Sequence, residues 1–357
     1  MLLFTFLLIK YYLFAKGDHI MKKSTLLVFI GILTIMLLLS SAWVIAPDTI
    51  QNKVKEWAGL TNARPIAIMV ENSAAARPQS GLQNADVVFE VVDEYGITRF
   101  VAIFGTKDAS IVGPFRSSRP YYAEIAKSFD PIYLFFGTYP ECYKYIQDLG
   151  MYTMSAMTDR SGLSSIVGTA PYWRDYNRSK IQEHTAFTST IAVKQKAMQF
   201  GIPLEGNGMP FSYKGDAGEG DRGGINNVFI DFGTASYAPR GFNVNFKYDR
   251  NSNSYLRYMG NKPHVDHESG QIISVKNVVV LITDIVGPID KYKHMSVRTT
   301  GSGQAFYFID GNAVEGTWER GGVADRFVLR DGSGNEVSLN AGNTWISMVM
   351  PGKVSWQ

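Results

Sequence analysis

Cysteine is nearly absent: Cys142 is the single one in 357 residues. That excludes an intrachain disulfide and a thiolate metal cluster, and leaves stability to packing. A charge surplus is missing as well. The formal net charge is +3, from 35 basic and 32 acidic residues, but Lys10, Lys16, Lys22 and Lys23 face Asp18 alone within residues 1–46. Setting those five aside leaves 31 residues of each sign. The remainder is neutral and lacks the basic excess that displaces counterions from phosphates, so no nucleic-acid partner is expected. The chain also has no G-x-S-x-G elbow, which removes the sequence basis for a Ser-His-Asp triad. What it has in quantity is apolar: 45% hydrophobic and 13% aromatic residues supply packed cores, and the length accommodates two domains.

The longest uncharged run, Leu26 to Ala46, extends about 21 residues, the length at which a helix spans a bilayer core. Lys22 and Lys23 precede it and Asp48 follows it, so the positive-inside bias places its start in the cytoplasm and everything after Pro47 outside. The run reads as a retained single-pass anchor in the cell membrane. Ser40-Ser41-Ala42 permits the alternative of a cleaved signal peptide, which would leave a secreted protein. Residues 1–20 read as a mis-assigned start: Leu2 to Ile9 is too short to span, and Lys16-Gly17-Asp18 is what a purine-rich ribosome-binding sequence ahead of the Met21 codon would encode.

Residues 47–63 read as a linker. From Arg64 the pattern predicts strands over Ile66–Val70 and Ile132–Phe136, a hairpin of Ala85–Val92 with Ile97–Phe104, and helices over Tyr121–Ser128 and Glu141–Leu149. Residues 64–214 thus form a mixed α/β domain. Residues 215–224, rich in glycine and charge, read as a flexible loop or link. Beyond them β-rich runs follow one another without helices, at Val228–Phe232, Phe242–Tyr248, Ser254–Met259, Val278–Thr283, Ala305–Ile309, Phe327–Arg330, Glu336–Leu339 and Thr344–Met350. Residues 225–357 therefore predict a mainly antiparallel β domain, a sandwich or open barrel, and the fold class is α+β.

Chemistry concentrates at Gly113-Pro114-Phe115-Arg116-Ser117-Ser118-Arg119-Pro120-Tyr121. Two guanidiniums, hydroxyls and a helix start there favour a bound oxyanion or carboxylate; alternatively the arginines pair with Glu90 and Glu94 inside the fold. Glu90 and Glu94 flank a hairpin turn, with Asp93 between them and Arg99 on the return strand. In one cleft they would serve as the two carboxylates of a glycosidase, against the commoner role of solvated or arginine-paired acids. His264-Val265-Asp266-His267 carries metal-ligand types at alternate positions, but an exposed polar turn is the simpler reading, and no metal or other cofactor is expected. The many tyrosines between Tyr121 and Tyr176 suit sugar rings or core packing, and core is expected for most.

Several ordered motifs make the chain resemble the YerB-like lipoproteins. They are Arg64-Pro65-Ile66-Ala67-Ile68-Met69-Val70-Glu71-Asn72, Ala76-Arg77-Pro78-Gln79-Ser80-Gly81-Leu82, Ala85-Asp86, Gly96-Ile97-Thr98-Arg99-Phe100 and the Gly113–Tyr121 stretch. Arg257, His264-Val265-Asp266, Lys276–Val280 and Gly342–Ile346 extend the match to about Pro351. The resemblance implies an envelope location and a two-part extracytoplasmic region with N- and C-terminal YerB-type domains. It supplies no catalytic residue. Positions matching its motifs are Glu90, Glu94, Arg99, Arg116, Ser117, Arg119 and His184. Around His184 this chain has Glu183 and Thr185 where the family pattern has Pro and Asn. The lipobox cysteine of the family is also missing from Ser40-Ser41-Ala42-Trp43, so the apolar helix itself would hold the protein. The expectation is an envelope protein binding an anionic or glycan wall component, or an envelope partner, through Arg99, Arg116, Ser117, Arg119 and His184. The alternative is a wall-glycan hydrolase or lyase using Glu90 and Glu94.

Overall fold

The structure, a computed structural model, describes residues 62–157, 169–233 and 242–357. The apolar run Leu26–Ala46, the start at Met21 and nearly all of the 47–63 segment lie outside them. Among the described residues no helix is long and apolar enough to cross a membrane.

The first half of the chain contributes strands β1 (Ile66–Glu71), β2 (Val87–Val92), β3 (Thr98–Phe104), β4 (Ile132–Phe135) and β5 (Tyr152–Ser155). The second half contributes β6 (Asn227–Ile230), β7 (Val244–Asp249), β8 (Ser254–Met259), β9 (Lys262–Pro263), β10 (Ser274–Val275), β11 (Asn277–Ile282), β12 (Gly301–Ile309), β13 (Asn312–Arg320), β14 (Val328–Asp331), β15 (Thr344–Val349) and β16 (Val354–Trp356). Both halves share one ten-stranded sheet in the order β14-β13-β12-β11-β15-β2-β3-β1-β4-β5. The joint is β15, which pairs parallel with β2 (Val87↔Thr344) and with β11 (Asn277↔Thr344). A smaller sheet runs β9-β8-β7-β6-β16, with β10 on β8. The sandwich or open barrel expected for residues 225–357 thus takes another form, because five of its strands extend the sheet begun by the first half.

Strand alternation explains why the large sheet can be buried on both faces. Ile66, Ile68 and Val70 of β1 point into one core, while Ala67 and Met69 point into the other, and this produces the continuous apolar run. The first core is closed by the small sheet through Val228, Val244, Phe246 and Tyr255. The second is closed by helices α1 (Pro120–Lys127) and α2 (Pro140–Asp148). Both helices begin on proline, whose missing N–H costs nothing at a helix start. Each buries one stripe, Tyr121, Tyr122 and Ile125 in α1 and Cys142, Tyr143 and Ile146 in α2. A third helix, α3 (Thr190–Gln199), which the sequence pattern did not predict, is capped by Ser189 Oγ accepting from Ala192 N–H at 3.0 Å. The glycine-rich 215–224 stretch is tied down rather than loose: Gly223 N–H donates to Asp310 O at 2.8 Å, and a Cβ at Gly223 would stand 2.2 Å from Gly311 O.

Candidate functional site

β1 and β2 both pair antiparallel with β3, and β4 pairs parallel with β1, so β1, β2 and β4 run the same way. Their carboxyl ends open together onto a cleft of about 1140 Å³, the place where sheets of this kind receive ligands because the chain turns away there. Glu71 ends β1, Asp93 and Glu94 follow β2, and Tyr139 follows β4. Arg99 enters from β3 opposite Glu71. The segment around Arg116 crosses these strand ends. Its N–H donates to Met69 O at 2.9 Å, and Phe136 N–H donates to Arg116 O at 2.8 Å, which fixes Arg116 and Ser117 in the cleft wall. Arg119 stands just before Pro120 and is held extended, at φ −135° and ψ 162°, as a residue preceding proline must be.

The β2–β3 turn is tight: Asp93 N–H donates to Ile97 O at 2.6 Å, and Tyr95 adopts φ 61°. A tyrosine in the left-handed region costs on the order of 1 kcal/mol. The turn leaves Tyr95 54% exposed at the cleft rim.

The cleft floor is a lattice of arginines and acids. Arg99 Nη2 lies 2.5 Å from Asp93 Oδ2, and Arg99 Nη1 donates to Ser117 O at 2.9 Å. Arg119 Nε donates to Glu94 Oε1 and sits 3.8 Å from Asp93. Burial by itself would raise the Asp93 pKa, but Arg99 and Arg119 outweigh it and hold the carboxyl below its ordinary 3.8. Glu94 moves the other way, since burial and the Asp93 anion raise it above 4.5 against the pull of Arg119. Adjacent carboxyls are thereby separated in acidity.

On one wall Arg116 Nη2 donates to Glu183 Oε2 at 2.7 Å. Its Nε has no hydrogen-bond partner among the described residues, with Glu71 Oε2 3.6 Å away. Part-exposed pairs of this kind contribute only about 0.2–1 kcal/mol. His184 Nδ1 donates to Glu71 Oε2 at 2.8 Å, the direction required when the partner is a carboxylate. On the opposite wall His294 stacks on Tyr139 (4.6 Å, 26°), donates through Nδ1 to Asp290 at 2.6 Å, and brings Nε2 to 3.7 Å from Glu94. Tyr292 beside it is 63% exposed.

Of the residues expected from sequence, Glu94, Arg99, Arg116, Ser117, Arg119 and His184 meet in this cleft. The arginines are not free for an anion, as the oxyanion reading required. Arg99, Arg116 and Arg119 already hold carboxylates, and Glu71, Asp93, Glu94, Glu141, Glu183 and Asp290 outnumber them.

Glu90 lies elsewhere, so the expected pairing of Glu90 and Glu94 across one cleft does not form. Its place inside β2 turns it to the small-sheet side, and it is fully buried. There it accepts from Arg257 Nη2 (2.7 Å), Trp345 Nε1 (2.9 Å) and Thr98 Oγ1 (2.7 Å). Arg257 is also fully buried, with its guanidinium 4.3 Å from the Trp345 ring, and donates to His264 Nδ1. His264 must then be neutral, with Nε2–H donating to Gln79 Oε1 at 2.7 Å. Burial first, then Arg257 and Arg77, drive its pKa well below 6.5. The exposed turn expected at His264–His267 is corrected accordingly: His264 and Asp266 are buried while His267 faces out. Among the described residues no group of His, Cys, Asp and Glu is arranged to hold a metal. Burial pushes the Cys142 thiol up to about 11, which makes it a packing residue and not a nucleophile.

Sequence reasoning did not assign Glu71, Tyr95, Tyr139, Tyr292 or His294 to the site. Glu71 was visible as the charged end of an apolar strand. Tyr292 and His294 arrive from a loop some two hundred residues beyond β2, and no local pattern marks them.

Fold and site together define a β-rich protein, with few helices, built on one large mixed sheet and carrying a ligand-sized cleft at its strand ends. The chain belongs to the family described as "Protein of unknown function (DUF3048)", whose N-terminal domain matches residues 53–203 and whose C-terminal domain matches residues 233–346. It is similar to "Putative lipoprotein YerB" of Bacillus subtilis (strain 168), at 29% identity over 312 residues, 85% of this chain and 88% of that protein. The crystal structure of the YerB protein from Bacillus subtilis superposes with a TM-score of 0.70 at 26% identity, covering 85% of this chain and 96% of that one.

Proposed function

We propose that this chain is an envelope protein, held at the cell membrane by a single N-terminal helix, whose cleft binds a glycan of the cell wall. The observation that carries the glycan reading is the pairing of exposed tyrosines, Tyr95 and Tyr292, with a floor of planar guanidinium–carboxylate pairs. A sugar ring presents an apolar face that suits an aromatic platform, and hydroxyls that both donate and accept. The acid surplus favours a neutral or amine-bearing sugar over a free anion. Membrane placement is supported by the uncharged run Leu26–Ala46 and by the lipoprotein name of the B. subtilis relative. A cleavage reading needs Glu90 and Glu94 together, and Glu90 spends its lone pairs on the far side of the sheet, so binding without turnover is preferred.

The test is retention of the purified full chain on peptidoglycan sacculi. Saturable retention that is weakened by Tyr292→Ala is the expected result. No retention, or release of soluble sugar fragments, would reject the binding reading.

A further inference from the structure

A second hollow of about 540 Å³ adjoins the cleft, lined by Phe136, Arg174 and Ile181 together with Arg116, Ser117 and Glu183. The last three also line the cleft itself. Between the two spaces stand Ser117 and the Arg116–Glu183 pair, 2.7 Å long, with the pair's side chains 24% and 51% exposed. Water already competes for such a pair, so it opens at little cost. At the same place Arg116 Nε, buried 3.6 Å from Glu71 Oε2, has no hydrogen-bond partner among the described residues.

The second hollow has its own aromatic character. The Arg174 guanidinium lies 5.0 Å over the Phe136 ring and 6.0 Å from Tyr172, and it is anchored by donating to Thr185 Oγ1 at 2.9 Å. Ile181, half exposed, forms the outer lip. The main cleft alone exceeds the roughly 300–1,000 Å³ that encloses one small ligand, and the second hollow adds to it across a removable wall.

We infer that the two hollows are successive subsites for one extended oligosaccharide, which passes over the Arg116–Glu183 pair and bonds to it on the way. The inference rests on the glycan reading above and adds that the ligand is a polymer and not a single sugar or disaccharide. A guanidinium beside a carboxylate offers donor and acceptor together, which matches neighbouring hydroxyls on a sugar ring. Filling the second subsite from an already bound chain needs no new encounter, so affinity should climb with chain length.

The experiment is calorimetric titration of the full chain with β-1,4-linked N-acetylglucosamine oligomers, from the disaccharide to the hexasaccharide. Affinity is expected to rise about tenfold or more along the series. In Ile181→Asp, which puts a charge on the lip of the second hollow, the rise should vanish while the disaccharide binds as before. Ile181→Lys serves as a second blocking variant should Ile181→Asp fail to fold. Equal affinity for short and long oligomers, or a rise that survives in a folded blocking variant, would overturn the two-subsite inference and leave the glycan reading standing. Absence of binding at every length would overturn both.

Discussion

Two clusters in this protein use the same residue types, arginine against carboxylate, and do opposite things with them. Around Arg257 and Glu90 both partners are fully buried, and Glu90 is also held by Trp345 and Thr98. In the cleft the Arg99–Asp93 pair of the floor is buried too, but Arg119–Glu94 is only part-covered and Arg116–Glu183 on the wall stands open to solvent, with tyrosines at the rim. A buried ion pair stripped of one member leaves an unmatched charge with no water to turn to, whereas an open one can trade its partner for a ligand. The first cluster ties the small sheet to the large one; the second has surface to offer. Four residues of sequence separate Glu90 from Glu94, and the end of a strand sends them to different environments.

The comparison breaks most readily at Arg257. Arg257→Ala should cost about 3–5 kcal/mol in urea unfolding, because Glu90 would stay buried without its cation. Replacing both members, Arg257→Met with Glu90→Leu, should recover only part of that loss, because Trp345 Nε1, Thr98 Oγ1 and His264 Nδ1 lose their buried partners. A loss below about 1 kcal/mol for the single change would place the buried cluster on the same footing as the open one.

Acid sharpens the contrast next. His264 is buried neutral with a pKa well below 6.5, facing Arg257, Arg77 and Gln79. The unfolded chain takes up that proton first, so stability should begin to fall as the pH drops below about 6.5, with a slope approaching about 1.4 kcal/mol per pH unit. His264→Gln should flatten this limb, and a flat profile in the unsubstituted protein would contradict the assignment. Asp93, depressed, adds a further loss only once the pH falls below 3.8, opposed by Glu94, whose raised pKa favours the folded state as it protonates.

The smallest effect on folding belongs to the cleft wall. Arg116→Ala should change stability by no more than about 1 kcal/mol, yet weaken glycan binding about tenfold through the lost charge-assisted bonds. A stability loss as large as that of Arg257→Ala would make Arg116 a structural residue.

Much of the local structure was legible. The β2–β3 hairpin, β1, β4, α1 and α2 all follow from runs of apolar residues bounded by turn or proline signals. β13 was not, because outside Trp318 and Arg320 most of its residues face solvent or are half-covered and Gly316 interrupts the run. α3 escaped because Val193 and Ala197 form a stripe too narrow to stand out. The insertion of β15 between β2 and β11 is a non-local pairing, as is the Arg257–Glu90 contact across 167 residues, and neither leaves a periodic trace. For the site, clustered arginines and acids gave the cleft's location and left open whether the arginines bind an anion or pair with acids; Arg119 does pair with Glu94, but Arg116 is matched by Glu71 and Glu183, which sequence spacing does not bring together.

The most direct check is to titrate the full chain and its Tyr292→Ala variant with the N-acetylglucosamine disaccharide while recording unfolding of both. Tyr292 is 63% exposed at the cleft rim, so equal stability with binding weakened about tenfold is the predicted result. Undiminished binding in the variant would mean that the sugar is held somewhere other than this cleft.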